Sequence, residues 1–424
     1  LYIYALDDDL DSFASKQLYI VKLLREKQFT DRANKMALKM INYLREYENY
    51  GLTEKFIDQL RKIIWYQTNN VSYKMLLELN QLSKEISTSF SKTIQLQQLF
   101  IESRTLRSKS HFRLSNNDQK RVNNLLNELE NIECDKNSFI QQQFKNISLA
   151  TLKYLQNLPD AYNHALESIH QWHSTPKRIT FDPENYLEAL YIFSYSAVSS
   201  MRFEAFECVF NFDIRSHIKQ TPTYYYYDTI KHLTLVRYYH KIANYDKVET
   251  IVKYTMKQLS KWEDYLNTEF KRTVYLSLSI SCFVLEDYNN AFYYTKYAVN
   301  NLNDHLRVEQ ISFANLFLLT ILYDKKDWLT FENQYNTSYS YFYRSENPQN
   351  FEKNIVSTLH KISGIKSKSN NNEIWHQLLN SLEAEQDTQI LNNVLSIFNF
   401  KRWIKSKIQK IPYKQLVIQE TTLS

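Results

Sequence analysis

The sequence predicts an all-α fold, more precisely an α-solenoid of antiparallel helical hairpins, on three observations. Apolar residues recur at helical spacing along most of the chain, one aromatic position repeats with a period of about 42 residues, and glycine is nearly absent. Only Gly51 and Gly364 occur among the 424 residues. Strand-rich folds need glycine in tight turns and bulges, so this scarcity disfavours them.

The same scarcity excludes several classes of enzyme. Phosphate-binding loops, dinucleotide-binding turns and nucleophile elbows need glycine, because their backbone takes positive φ or approaches the ligand closely. None of these motifs occurs in the sequence. We therefore predict a protein that is not an enzyme, with no catalytic residues, no cofactor and no bound metal.

The repeat is marked by an aromatic residue that is followed three positions later by an apolar or aromatic residue. A stripe at offsets 0, 3, 7, 10 and 14 follows three of the markers, while the units at Tyr162 and Phe203 match the first four and the first three of these offsets. These offsets lie on one side of an α-helix. The unit at Tyr288 illustrates the stripe, with Ala291, Thr295, Ala298 and Leu302. The five marker residues are 41, 42, 43 and 40 positions apart: Tyr162, Phe203, Tyr245, Tyr288 and Trp328.

Each unit is predicted to contain two helices. Asn244, Asp287 and Asp327 precede three of the markers, and such side chains accept the unpaired amides of a helix N-terminus. The stretch before each marker, for example Val274 to Leu285, also has helical apolar spacing. The polar joint between the two stretches is short, so we expect the helices to form an antiparallel hairpin.

One unit carries a family resemblance. The segment from Leu276 to Leu302, which contains LEDYNNAFYYTKYAVNNL, resembles the second half of a tetratricopeptide repeat. The resemblance implies a fold of stacked helix pairs that binds other proteins. The period near 42 exceeds the 34 residues of that family, which suggests longer helices. The C-terminal phrase NVLSIFNFKRWIKSKI is similar to the tail of uncharacterised bacterial proteins with tetratricopeptide-like helices.

The chain divides into four predicted sections. Residues 1–138 form an irregular helical section, in which Gly51 is expected to cap the end of the second helix. Residues 139–362 hold the repeats, 363–372 a linker, and 373–424 capping helices with a basic tail. The helices predicted in the first section are Ala14–Lys27, Asp31–Tyr47, Thr53–Tyr66 and Tyr73 to about Arg107.

Two basic segments, 104–121 and 401–414, are candidate contacts for an anionic partner. The second has no acidic residue and carries six positive charges, equal to the net charge of the whole chain. A solvated helix is the alternative interpretation. We expect this helix to contact the last hairpin only through a narrow seam of Trp403, Ile404 and Ile408 and to lie outside the repeat core. Its candidate contact residues are Lys401, Arg402, Lys405, Lys407, Lys410 and Lys414.

Two further features are weaker candidates. Glu167 with His170 and Glu373 with His376 have the spacing of carboxylate-bridged metal ligands, but surface residues explain both pairs better. Aromatic clusters could offer stacking platforms for single-stranded nucleic acid, although core filling is favoured because few basic residues lie among them. These clusters are Tyr224 to Tyr227, Phe292 to Tyr294 and Tyr339 to Tyr343.

The remaining features concern location and function. Three widely spaced cysteines without a C-x-x-C pair, and an N-terminus without signal-peptide character, favour a cytoplasmic protein with reduced thiols. No apolar run is long enough to span a membrane. The leading hypothesis is a non-catalytic scaffold or adaptor that binds a protein partner through a helical-repeat groove. The alternatives are a nucleic-acid-associated regulator that uses the two basic segments and a helical enzyme with scattered site residues.

Overall fold

The computed structural model confirms the all-α prediction. It describes residues 10–65, 70–109, 115–301, 308–344, 350–364, 371–384, 394–395 and 397–423, and no strand occurs within these ranges. The chain separates into two compact units, Leu1–Lys109 with Asn116–Thr223 and Ser110–Ser115 with Tyr224–Ser424. In both units, helices pack mainly against their neighbours along the chain.

Unit 1 contains the predicted irregular section and the first two repeat markers. The first four predicted helices all exist, with ends that differ from the prediction by a few residues. Because helix α4 is 40 residues long, it packs against α3, α5 and α6 in turn. The helices are α1 Leu10–Glu26, α2 Thr30–Glu46, α3 Tyr50–Trp65, α4 Asn70–Lys109, α5 Asn116–Asn131, α6 Phe139–Leu155, α7 Ala161–Ser174, α8 Lys177–Phe181, α9 Pro183–Ser200 and α10 Phe206–Phe210.

The prediction for Gly51 is wrong. Gly51 lies inside α3, and the residue in left-handed conformation after α2 is Glu48, with φ of 57°. The amide of Glu48 donates to the carbonyl of Arg45, and the amide of Asn49 donates to that of Leu44. These two bonds satisfy two carbonyls of the last turn of α2, and the turn forms without glycine.

Unit 2 contains the remaining helices and one continuous apolar core. Helix α11, Thr221–Lys241, contributes its residues from Tyr224 onward to this unit. The predicted linker at 363–372 falls largely outside the described residues. The helices that follow α11 are α12 Tyr245–Glu263, α13 Thr268–Val284, α14 Tyr288–Asn301, α15 Val308–Lys325, α16 Trp328–Arg344, α17 Asn350–Gly364, α18 Asn371–Ala384, α19 Phe400–Gln409 and α20 Tyr413–Leu423.

The same turn precedes three of the repeat markers. Ala243, Glu286 and Lys326 adopt the left-handed conformation, with φ of 52°, 64° and 60°. The next amide in each turn donates back to the helix just completed, as in the 2.8 Å bond from Asp287 N to Cys282 O. This pattern of hydrogen bonds is the Schellman motif.

The predicted helix caps are confirmed. The side-chain oxygen of Asn244 accepts the amide of Lys247 at 3.2 Å, and Asp287 and Asp327 accept amides three residues ahead at the same distance. Each cap satisfies one of the amides that have no partner at a helix N-terminus. The marker residue is therefore the first residue of α12, α14 or α16.

Most described positions of the predicted stripes are buried, whereas Leu259, Tyr288 and Tyr335 are half-buried. Trp172, Val248, Ala291 and Phe331 are almost fully enclosed, as their stripes require. Trp328 is 43% exposed at the first position of α16, whereas Tyr245 at the first position of α12 is 4% exposed. The unit at Phe203 is irregular, since the helix that follows it is only the five residues of α10.

Candidate functional site

The C-terminal basic segment forms a capped helix and a turn. Asn399 caps α19 by accepting the amide of Arg402 at 3.0 Å. Lys410 ends the helix in left-handed conformation, with φ of 57°, and Pro412 follows, where it cannot extend α19. Helix α20 then begins at Tyr413.

The apolar side of α19 belongs to the core of unit 2, so the expectation of a narrow seam outside that core is wrong. Phe400, Trp403 and Ile404 are almost fully buried and share one apolar cluster with α15, α16 and α17. The high charge of the segment did not suggest this burial. The charged residues occupy the other positions of α19, which is a strongly amphipathic helix.

A buried carboxylate fixes the inner face of α19. Asp324, at the end of α15, has a side chain that is only 4% exposed. Its Oδ2 accepts Trp403 Nε1 at 3.0 Å, and its Oδ1 lies 2.5 Å from Lys407 Nζ. Since an enclosed carboxylate needs such partners, these two bonds hold α19 in one orientation on α15.

The six candidate cations divide into two groups. Arg402 Nε lies 2.5 Å from Glu420 Oε2, and Lys405 Nζ lies 3.8 Å from Glu383 Oε1, so these two are paired within unit 2 together with Lys407. Lys401, Lys410 and Lys414 have no carboxylate within 4 Å among the described residues. Lys414 Nζ instead lies 5.5 Å from the centre of the Tyr245 ring. At most half of the charge is therefore available to an anionic partner.

Three arginines of the first basic segment, Arg104, Arg107 and Arg121, lie within 4.0 Å of a carboxylate of unit 1. Arg107 Nη2 lies 2.8 Å from Glu188 Oε1, and its guanidinium stacks 4.9 Å from the centre of the Tyr191 ring. Arg121 binds both carboxylate oxygens of Glu102. The side chain of Lys109 and the whole of Arg113 lie outside the part of the chain that the structure describes.

The structure does not assemble the candidate metal ligands. Glu167 and His170 are exposed on α7, and Glu373 and His376 are exposed on α18. Within the described ranges, no three His, Cys, Asp or Glu side chains come close enough together to hold a metal ion. Both pairs therefore fit the interpretation as surface residues.

Rings within each aromatic cluster contact one another, and those of the third cluster are stacked. The rings of Tyr339 and Tyr343 are parallel within 20° and 4.0 Å apart, and Tyr335 lies 5.7 Å from Tyr339. Lys353 Nζ lies 5.1 Å from the Tyr343 ring centre. Because neighbouring rings cover part of the faces of Tyr335, Tyr339 and Tyr343, less ring area is available to stack on a nucleobase.

A small pocket with both polar and apolar walls, between α11, α12 and α13, was not predicted. It offers about 10 Å³ to the centre of a water-sized molecule. Its polar walls come from residues far apart in the sequence and embedded in apolar stripes, so spacing gave no signal for it. The polar lining residues are Thr229, His232, Thr255, Trp262, Ser277 and Ser281.

A histidine held by a carboxylate stands beside this pocket. His232 Nδ1 lies 2.6 Å from the Asp228 carbonyl oxygen and 3.3 Å from Asp228 Oδ1. Tyr254 donates its hydroxyl to Asp228 Oδ2 at 3.1 Å and stacks on the imidazole with ring centres 4.4 Å apart. Because Nδ1 faces two oxygens, it carries a proton and donates it.

Other titratable groups are buried in the helix packing. Burial lowers the pKa of His240 to about 4, and its Nε2 lies 2.9 Å from Ser281 Oγ. Burial also lowers the pKa of His173 to about 4, with a smaller effect from the charge of His170. The thiol of Cys282 is buried and its pKa is raised to about 12, mainly by desolvation. Such groups stay neutral near pH 7.

Comparisons with known proteins return no relative. No protein-family model matches the chain, and neither a curated protein nor a solved structure matches it. Separately, none of the described helices combines the length and apolar content that crossing a bilayer requires.

Proposed function

We propose that the chain is a tetratricopeptide-like scaffold, in which antiparallel helical hairpins stack as an α-solenoid and bind a protein partner. The observation that carries this proposal is the recurrence of one turn. A left-handed residue, a polar cap and an aromatic residue stand in that order at 243–245, 286–288 and 326–328. A turn this short favours an antiparallel arrangement of the two helices that it joins.

Packing beyond the nearest neighbour supports the stacking of hairpins. Helix α15 packs against both α16 and α17, and in unit 1 helix α6 packs against both α7 and α9. A helix that contacts both its neighbour and a helix further along the chain is typical of repeats that bury their apolar faces on one another. Within each unit, the outward faces of such a stack remain available to partners.

Exposed aromatic side chains are the best candidates for the partner contacts. Tyr293 on α14 is 57% exposed, and Tyr339 and Tyr343 on α16 are 42% and 40% exposed. Tyrosine buries a large area at low entropic cost and is enriched where binding energy concentrates in protein interfaces. The stacking of Tyr339 on Tyr343 also orders both rings before a partner arrives.

The alternative is a nucleic-acid-associated regulator that uses segments 104–121 and 401–414. Lys401, Lys410 and Lys414 favour it, because they face no carboxylate within 4 Å in the described structure. The internal pairing of Arg107, Arg121 and three cations of the second segment weakens it. Phosphate contacts depend on free cations, and each contact adds to the salt dependence of binding.

Two matched variants distinguish these functions. In the aromatic variant, Tyr339→Ala is combined with Tyr343→Ala, and in the charge variant Lys401, Lys410 and Lys414 are each changed to Gln. Both variants and the parent chain are immobilised and offered nuclease-treated and untreated lysate at about 50 and 200 mM salt. Captured proteins are cross-linked and identified by mass spectrometry, and captured nucleic acid is quantified.

The scaffold proposal expects a discrete protein that cross-links to unit 2, survives nuclease and higher salt, and is lost in the aromatic variant only. Circular dichroism should show unchanged helicity in both variants. Capture of nucleic acid without a protein partner, lost at higher salt and in the charge variant, would overturn the proposal in favour of the alternative.

A further inference from the structure

Two buried polar side chains of α12, those of Thr255 and Trp262, line the same pocket. Trp262 is 1% exposed and Thr255 is 4% exposed. Among the residues that the structure describes, neither Trp262 Nε1 nor Thr255 Oγ1 has a hydrogen-bond partner. Both residues line the pocket between α11, α12 and α13. Buried groups of this kind normally have a partner, so two of them at one pocket indicate a bound species.

The orientation of Thr255 supports this reading. Helical threonines of unit 2 usually donate to the carbonyl four residues earlier, as Thr250 does to Asp246 at 2.9 Å and Thr234 does to Ile230 at 2.6 Å. Thr255 makes no such bond, although it lies on the same helix as Thr250. The hydroxyl of Thr255, a residue that lines the pocket, therefore lacks the hydrogen bond to the carbonyl four residues earlier that helical threonines usually make.

The geometry of the helix allows one species to serve both groups. Thr255 and Trp262 are seven residues apart and therefore lie on the same face of α12. Long helical side chains lean toward the helix N-terminus, so the indole of Trp262 extends back in the direction of Thr255. The indole N–H can only donate, whereas the threonine hydroxyl can donate or accept.

The size of the pocket decides what that species is. We propose that the pocket is a binding site for a single water molecule, which accepts Trp262 Nε1–H and bonds to Thr255 Oγ1. The pocket offers about 10 Å³ to the centre of a water-sized molecule, close to the smallest space that holds one water. A substrate or cofactor of several heavy atoms does not fit without displacement of Leu233, Val252 or Leu278 from the walls.

The remaining walls supply further partners for this water. Ser281 Oγ already donates to Ser277 O at 2.8 Å, and Thr229 Oγ1 donates to Tyr225 O at 2.7 Å. Each hydroxyl oxygen keeps a lone pair that can accept from the water. A water in a protein interior typically makes two to four hydrogen bonds, and here such bonds would join α12 to α11 and α13.

The first test detects the water directly in the full-length chain. Tryptophan residues are labelled with 15N, and the indole signal of Trp262 is identified from its loss in Trp262→Phe. We expect a nuclear Overhauser effect between the Trp262 indole proton and water that persists when chemical exchange is suppressed. The absence of this effect at an observed Trp262 signal would overturn the proposal.

The second test uses the sign of a change in stability. Thr255→Val preserves shape and removes the hydroxyl. If a water bonds to Thr255, the variant loses that bond and its melting temperature falls by about 2–4 °C. If the hydroxyl has no partner, its removal leaves the melting temperature unchanged or raises it, and the proposal fails. Combined with Trp262→Phe, Thr255→Val should lower the melting temperature by less than it does alone, because both groups share one water.

Discussion

The pair α13 and α14 and the pair α19 and α20 both have a left-handed residue after the first helix, Glu286 and Lys410, and in both the amide of the next residue donates back to that helix. In the first pair, small residues meet, and Ser279 Oγ donates to the carbonyl of Ala291 at 2.8 Å. In the second pair, large aromatic side chains such as Trp403 fill the space against the core. The turn therefore does not determine the packing. The first pair should be sensitive to added atoms and the second to removed atoms.

The largest effect is expected at the second pair. Trp403→Ala should reduce the free energy of unfolding by about 3–5 kcal/mol, because it leaves a cavity and removes the indole donor from the buried Asp324. Urea unfolding measures the change, with Lys401→Ala as the control. A loss below about 1 kcal/mol would mean that α19 rests only loosely on α15. Removal of the chain after Phe400 should likewise destabilise unit 2, because it deletes Trp403 and Ile404 from the apolar core.

The opposite change tests the first pair. Ala291→Leu adds atoms where α13 and α14 cross, next to the contact between the hydroxyls of Ser279 and Thr295. Overpacking should cost about 1–3 kcal/mol of stability. The exposed change Lys296→Ala is the control, and thermal unfolding compares them. If both variants melt at the temperature of the parent chain, the small-residue crossing is not the close contact described.

The dependence of stability on pH provides a further distinction, because His240 contacts α13 through Ser281. Its folded pKa is about 4 and the unfolded value is about 6.5, so below pH 6.5 the unfolded chain binds a proton that the folded chain does not. Stability should fall as pH falls from 6.5 to 4, by about 1.4 kcal/mol per pH unit at most. His240→Gln should flatten this slope for unit 2.

His173 supplies the control for that experiment. It belongs to unit 1 and its pKa is also lowered to about 4 by burial. His173→Gln should therefore flatten the acid slope of unit 1, followed by hydrogen exchange of its amides, and leave unit 2 unchanged. Equal slopes for the parent chain and both variants would show that neither histidine stays neutral in the folded state.

The smallest effect on stability is expected at the left-handed residues of the two turns, Glu286 and Lys410. Glu286→Gly and Lys410→Gly should each stabilise the protein by up to about 1 kcal/mol, because glycine adopts positive φ without strain but loses more entropy on folding. Lys257→Gly, inside α12, should instead destabilise by about 1 kcal/mol. Denaturant midpoints of the three variants measure these differences. A loss of stability at both turns would contradict the strain assigned to them.

Local signals made the helices predictable and long-range contacts did not. Asn244, Asp287 and Asp327 were predicted as caps because a cap bonds an amide three residues away. The burial of α19 was missed because Trp403 finds its partner, Asp324, 79 residues earlier in the sequence. The pocket that Thr255 and Trp262 line was also missed, because its walls come from three helices that are far apart in the sequence. The prediction that Gly51 caps α2 failed because the left-handed residue after α2 is Glu48 rather than a glycine.

The turns without glycine have a consequence for recognising related chains. Eight non-glycine residues among those described have positive φ, and no described glycine does. A sequence profile that rewards glycine after a helix would score this chain poorly at each of these turns. The sequence pattern that still marks these turns in the absence of glycine is a polar capping residue followed by an aromatic residue, as in Asn244 with Tyr245 and Asp287 with Tyr288. Searches that weight this dipeptide at intervals near 42 residues are better suited to finding distant members of the same architecture.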